Sequence, residues 1–161
     1  MLENQLDPID IRILDELTQD AKVPLIALAK KLKVSNTLIH QRIKKLTAAG
    51  ILQKATYMID PWKLGYRTSA YTLIMLTDSK DHRKVESAVS KIPEIVECVN
   101  ISGRYALMVK IIAKNNRHLR DIIYEKIHII KEVEGTNTTI SFETAFSRSV
   151  PLQFEVEDEN G

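Results

Sequence analysis

The chain has 161 residues, 44% of them hydrophobic and 27% charged, and a formal net charge of +2. That length allows one domain or two small ones with a buried core, and the mixture is that of an ordinary globular protein. A single cysteine, Cys98 in the apolar run "IVECVNI", excludes an internal disulfide framework and reads as a buried structural thiol in a reducing compartment. No apolar run approaches the ~20 residues of a membrane helix, and "MLENQLDPID" lacks the basic-then-apolar pattern of a signal peptide. A cytoplasmic protein without membrane contact is the expectation.

The first third reads as helices. Asp7 can cap a helix whose first position is Pro8, with Asp10 at the positive dipole end. Ile9, Ile13, Leu14 and Leu17 follow at helical spacing. A second helix opens at Pro24 and buries Leu25, Leu28, Ala29 and Leu32. After a short break Ser35 caps a third, with Ile39, Ile43 and Leu46 as its apolar stripe and Gly50 as its stop. "ILQKATYMI" then reads as a β-rich run and "DPWKLGY" as a turn-rich connector.

The remainder alternates strand and helix. "SAYTLIMLT" predicts a strand, and "DHRKVESAVSKIP" an amphipathic helix with Val85, Ala88, Val89 and Ile92 on one face. "IVECVNIS" and "YALMVKIIA" predict two strands of a hairpin around Gly103-Arg104. "NRHLRDIIYEKIHII" predicts a second helix, and "TNTTISFETAF" a last strand with Ile140, Phe142, Thr144 and Phe146 on one side. The order β-α-β-β-α-β is the ferredoxin-like split pattern. The fold class expected is therefore α+β, in two units. The first unit, mainly helical, occupies 1–60, a linker 61–66, the αβ domain 67–150 and an acidic tail 151–161.

The charge distribution carries the functional signal. From Ala21 to Ile59 there are eight Lys or Arg (Lys22, Lys30, Lys31, Lys33, Arg42, Lys44, Lys45, Lys54) and no Asp or Glu. Such a local field steers binding. With Ile39, Ile43 and Leu46 inward, the third helix turns Asn36, Thr37, Leu38, His40, Gln41, Lys44 and Lys45 outward. Gln pairs bidentately with adenine, His and Asn bond base edges, and Lys reaches guanine or phosphate. Helix, three-residue break, exposed polar helix is the arrangement of a helix-turn-helix. The second helix would then cross the backbone, placing Lys30, Lys31 and Lys33 near phosphates. Ser35 and Arg42 complete the expected DNA-binding set. The bland reading is a solvated lysine-rich helix. The coincidence of an acid-free span, the spacing and outward hydrogen-bonding residues favours double-stranded DNA.

"LDPIDIRILDEL", "LAKKLKVSNTLIHQRIKKLTAAGIL", "DPWKLGY" and "VECVNISGRYALMVKI" together resemble the family of the leucine-responsive regulatory protein and the asparagine regulator, bacterial and archaeal transcription factors. The resemblance spans about residues 6 to 146. It implies a winged helix-turn-helix followed by an ACT-like αβ domain, homodimers assembling into octamers or similar rings, and an amino-acid effector bound between dimers. The family's effector turn reads Gly-Asp-Tyr-Asp, whereas here it is Gly103-Arg104-Tyr105-Ala106. The resemblance places the effector at Ser102, Gly103, Arg104, Tyr105 and Ala106. The loss of both acids removes the partners of an α-ammonium, and Arg104 could attract a carboxylate instead. An unusual effector, no effector, or a loop serving only dimer contacts remain open, with a changed or absent response favoured over leucine sensing. Asn36 stands where the family usually has proline, as a base-contact candidate or a plain helix starter.

No catalytic constellation is legible. His40, His82, His118 and His128 are scattered, with no Cys or carboxylate at metal-ligand spacing, and neither a Gly-rich phosphate loop nor a Gly-x-Ser-x-Gly elbow occurs. Neither an enzyme nor a metal or other cofactor is expected. The rival function is a small-molecule sensor or metabolic regulatory subunit acting through protein partners. Steep salt dependence of DNA association would separate the two.

Overall fold

The computed structural model describes residues 6–152 and forms two units, one of residues 6–57 with 147–152 and one of 58–146. The expected acidic tail lies outside the described residues, apart from Pro151 and Leu152. The grouping differs from the sequence boundaries for a packing reason. Leu152 rests against the core of the first unit, so the chain beyond Phe146 belongs there.

The first unit holds α1 (Pro8–Gln19), α2 (Leu25–Leu32) and α3 (Asn36–Ala48). Asp7 caps α1, accepting from the Ile9 and Asp10 N–H groups at 2.9 and 2.8 Å, while Asp10 reaches back to the Asp7 N–H. Ile13, Leu14, Leu28, Ala29, Leu32, Ile39 and Leu46 form the core, with Ile43 half-buried against it. A turn of three residues joins α2 to α3. Lys33 turns it in the left-handed region at φ 56°, and Ser35 caps α3 by accepting from the Leu38 N–H at 3.2 Å. Gly50 follows α3 with φ 73°.

The β-rich expectation for 51–59 is corrected: no strand forms there. Apolar, β-branched composition gives a strand only when a second strand supplies the hydrogen-bond ladder. No strand among the described residues pairs with this segment.

The second unit is a four-stranded antiparallel sheet in the order β2-β3-β1-β4, from β1 (Thr68–Leu76), β2 (Ile95–Asn100), β3 (Leu107–Ala113) and β4 (Val133–Ser141). Helices α4 (His82–Val89) and α5 (Asn116–Asp121) cover one face. Ala70, Ile74, Val109 and Ile111 of the sheet meet Val85, Val89, Leu119, Ile122 and Ile127 there. Two expectations are corrected. The last strand begins at Val133 and ends at Ser141, leaving Phe142 91% exposed. The helix after Asn115 widens into a π turn over Ile122–Ile127, closed by the His128 N–H donating to the Ile123 carbonyl at 2.9 Å.

Cys98 is exposed on edge strand β2, contrary to the buried thiol expected. It pairs with Val109 and so lies on the helix-covered face, but at the open edge of the sheet, where no further strand covers it among the described residues. Partial burial, with the Glu86 charge, still pushes its thiol pKa up.

Candidate nucleic-acid interface

Ser35, Asn36, Thr37, His40, Gln41, Lys44 and Lys45 are all exposed on or at the start of α3, and Leu38 is half-buried. At 100° per residue, Thr37, Gln41 and Lys44 fall within one narrow stripe opposite Ile39 and Leu46. The side that packing leaves open is thus polar and carries no acid. Lys30 and Lys33 are exposed at the end of α2, and no described carboxylate pairs with either or with Lys44.

Of the other five cations four are engaged, and Lys54 is exposed with no described carboxylate paired to it. Lys31 bonds Glu16 of α1 at 2.6 Å, and the Lys22 ammonium lies 4.3 Å from the centre of the Tyr57 ring. Arg42 is drawn to α1: its Nη1 stands against Asp7 Oδ2 and 3.3 Å from Asp10 Oδ2. Lys45 Nζ lies 3.5 Å from the same Asp10 oxygen. Desolvation pushes the Asp7 carboxyl up, but the Asp10 N–H and the Arg42 charge outweigh it and hold its pKa below the usual range. The acid-free span is therefore opposed in space by carboxylates from α1. Sequence reasoning missed these partners, because it used Asp7 and Asp10 only as cap and dipole residues.

In the second unit the hairpin residues Ser102, Gly103 and Arg104 are exposed, and Tyr105 and Ala106 half-buried. Gly103 has φ 105°, which suits glycine. Arg104 lies on its own strand neighbours, with Nε 3.4 Å from Met75 Sδ and the guanidinium 6.0 Å from the Tyr105 ring. In addition to a cavity of about 300 Å³ next to Pro61, Leu64 and Ile112, this unit has one of about 350 Å³ between α5 with its π turn and β4, which none of these five residues lines. Asn116, Arg120, Tyr124, His128, Thr136 and Thr138 supply its polar wall, and Leu119, Ile123 and Ile140 its apolar floor. Tyr124 and His128 meet edge to face at 5.1 Å, and His128 Nε2 lies 2.8 Å from Thr136 Oγ1. The π turn was not readable from the sequence, so nothing there pointed to this cavity.

Among the described residues, no three His, Cys, Asp or Glu side chains cluster as a metal site, and no helix is long and apolar enough to cross a membrane.

Two sequence patterns match the chain, a winged helix-turn-helix DNA-binding domain over residues 6–53 and the Lrp/AsnC ligand binding domain over 69–151. The chain belongs to the Lrp/AsnC family. It is 32% identical over 147 residues to the regulatory protein AsnC of Haemophilus influenzae, covering 91% of this chain and 98% of that protein. The structure of Escherichia coli AsnC superposes with a TM-score of 0.84 at 28% identity, covering 89% of this chain and 97% of that one. A Neisseria meningitidis transcriptional regulator solved as its L-Met complex also superposes at 0.84, over 91% of this chain and 97% of that one; at 20% identity it shares the fold. This Lrp/AsnC protein is a DNA-binding transcriptional regulator.

Proposed function

We propose that α3 reads the DNA major groove through Thr37, Gln41 and Lys44, with Asn36 and His40 at its edges. Lys30 and Lys33 grip phosphates on either side, and Ser35 presents the N-terminus of α3 to the backbone. The observation that carries this reading is the outer stripe of α3, polar, exposed and without a carboxylate partner. The test is anisotropy titration of duplexes selected from random-sequence DNA by the full chain. Gln41→Ala is expected to cost ~1–3 kcal/mol at one base position and little elsewhere. Equal losses on selected and scrambled duplexes would reduce Gln41 to a backbone contact.

The regulation we infer is through a small carboxylate-bearing molecule. Support comes from the cavity beside the π turn: its wall offers the Asn116 amide and the Tyr124 hydroxyl, Arg120 stands there paired to Asp121 at 2.6 Å, and its floor is apolar. An amino acid would bind there through its carboxylate and side chain, and a 2-oxo acid would bind similarly. Calorimetry with L-methionine, L-leucine and their 2-oxo analogues tests this. Binding that survives Tyr124→Ala and Thr136→Ala but is lost on Arg104→Ala would return the effector to the hairpin. Self-association into dimers and larger rings is supported by the exposure of Met58, Ile59 and Phe142 in the second unit, and light scattering would measure it. The reading is of a non-catalytic cytoplasmic regulator without a metal.

A further inference from the structure

Asp10 is the one fully buried carboxylate among the described residues. A buried charge costs several kcal/mol unless it is paired, and its partners stand on another helix. Arg42 and Lys45, three residues apart on α3, both face it, and Arg42 is also held by Asp7. Only a quarter of the Arg42 side chain is exposed.

Helical geometry puts Arg42 roughly 140–160° around α3 from Thr37 and Lys44 and about 100° from Gln41. A helix lying in the major groove with that stripe downward cannot also turn Arg42 to the same groove. Ile39 and Leu46 hold α3 in place, but apolar packing has little directional preference, so it fixes depth better than roll. The ion cluster fixes roll. Side-chain tips lie roughly 5–6 Å from a helix axis, so a roll of about 20° would displace them by about 2 Å. That exceeds what a base-edge hydrogen bond tolerates.

We propose that Arg42 is a positioning residue and not a DNA contact: with Asp7 and Asp10 it sets the rotation of α3 and so the base preference of Thr37, Gln41 and Lys44. The inference rests on α3 being the recognition helix.

The experiment uses the full chain, a duplex selected from random-sequence DNA by the wild-type protein, and a scrambled duplex of equal composition. Affinities are measured across a salt series, and thermal melts confirm that each variant is folded. Arg42→Lys and Asp10→Asn are each expected to weaken the selected duplex at least ten-fold. The scrambled duplex should change less than three-fold, and the salt slope should be unaltered. Lys30→Ala, as the phosphate-contact comparison, should flatten the slope by about 0.9 per phosphate contact on both duplexes. If Arg42→Lys lowered affinity equally on both duplexes, Arg42 would be a phosphate contact and the proposal would fail. A ten-fold gain on both for Asp10→Asn would also overturn it, since the acid would then merely compete with phosphate. Unchanged binding to the selected duplex would show that the cluster positions nothing. Should Asp10→Asn not fold, Asp7→Asn, whose side chain is 36% exposed, carries the same expectations. A wild-type protein that enriches no duplex would instead sink the DNA-reading assignment on which the inference stands.

Discussion

Lys33 makes an unusually separable prediction, because its backbone and side chain pull in opposite directions. It is the one non-glycine residue among those described with positive φ, at φ 56° and ψ 42°, in the turn between α2 and α3. A side chain there costs roughly 1–2 kcal/mol. Glycine would remove that strain but add backbone freedom to the unfolded chain, worth about 0.4–1 kcal/mol. Lys33→Gly should therefore leave stability unchanged or raise it by up to about 1.5 kcal/mol, read by urea unfolding. The same change deletes an exposed ammonium that no described carboxylate pairs. If Lys33 grips a phosphate, the slope of log affinity against log salt flattens by about 0.9 per protomer. Between 50 and 200 mM salt that slope difference amounts to about 3.5-fold in affinity per contact. A more stable protein that binds DNA less salt-sensitively would show why lysine occupies a glycine position. Loss of stability would refute the strain argument, and an unchanged slope would refute the phosphate contact.

Three further outcomes follow from other parts of the first unit and its cap chemistry. Ile39 is fully buried against α1 and α2, so Ile39→Ala should cost about 2–5 kcal/mol in urea unfolding. Ser35→Ala removes the acceptor of the Leu38 N–H at the start of α3 and should cost about 0.5–2 kcal/mol in the same assay. The folded-state pKa of Asp7 is depressed, so its contribution to stability is complete above the unfolded value of about 3.9 and is lost as pH falls through the lower folded value. Melting the wild type and Asp7→Asn from pH 6 to pH 2 should show the wild type losing more stability below about pH 4. Parallel curves would remove Asp7 from the acid response.

Much of the fold was legible because local chemistry and tertiary packing agree. Asp7-Pro8 starts α1, Ser35 starts α3, and Gly103 sits at a hairpin, each by a rule that needs only neighbouring residues. The failures are non-local. Ile51–Ile59 has strand composition but pairs with no strand among the described residues, and β4 stops at Ser141 where its pairing with β1 ends. The π turn needs one extra residue per turn, which a 3.6-residue period cannot report.

The acid-free run is the sharpest instance, and part of its correction was within reach. Thirty-nine residues without Asp or Glu describe the chain in one dimension, whereas fields act in three. Asp10 precedes Ile13, Leu14 and Leu17 by three, four and seven residues, so it heads the very stripe that α1 buries. A carboxylate on an apolar stripe requires a cation. Arg42, three residues after Ile39 and four before Leu46, is the cation on the matching stripe of α3. Phase alone could have paired them, and pairing them divides the eight cations by role. Arg42 is held by the protein's own acids, Lys45 lies beside one of them, and Lys31 is tied to Glu16. Lys22 lies on the Tyr57 ring, while Lys30, Lys33, Lys44 and Lys54 are exposed without a described carboxylate partner. Of these, Lys30 and Lys33, assigned to phosphates, are where counterion release should be measured.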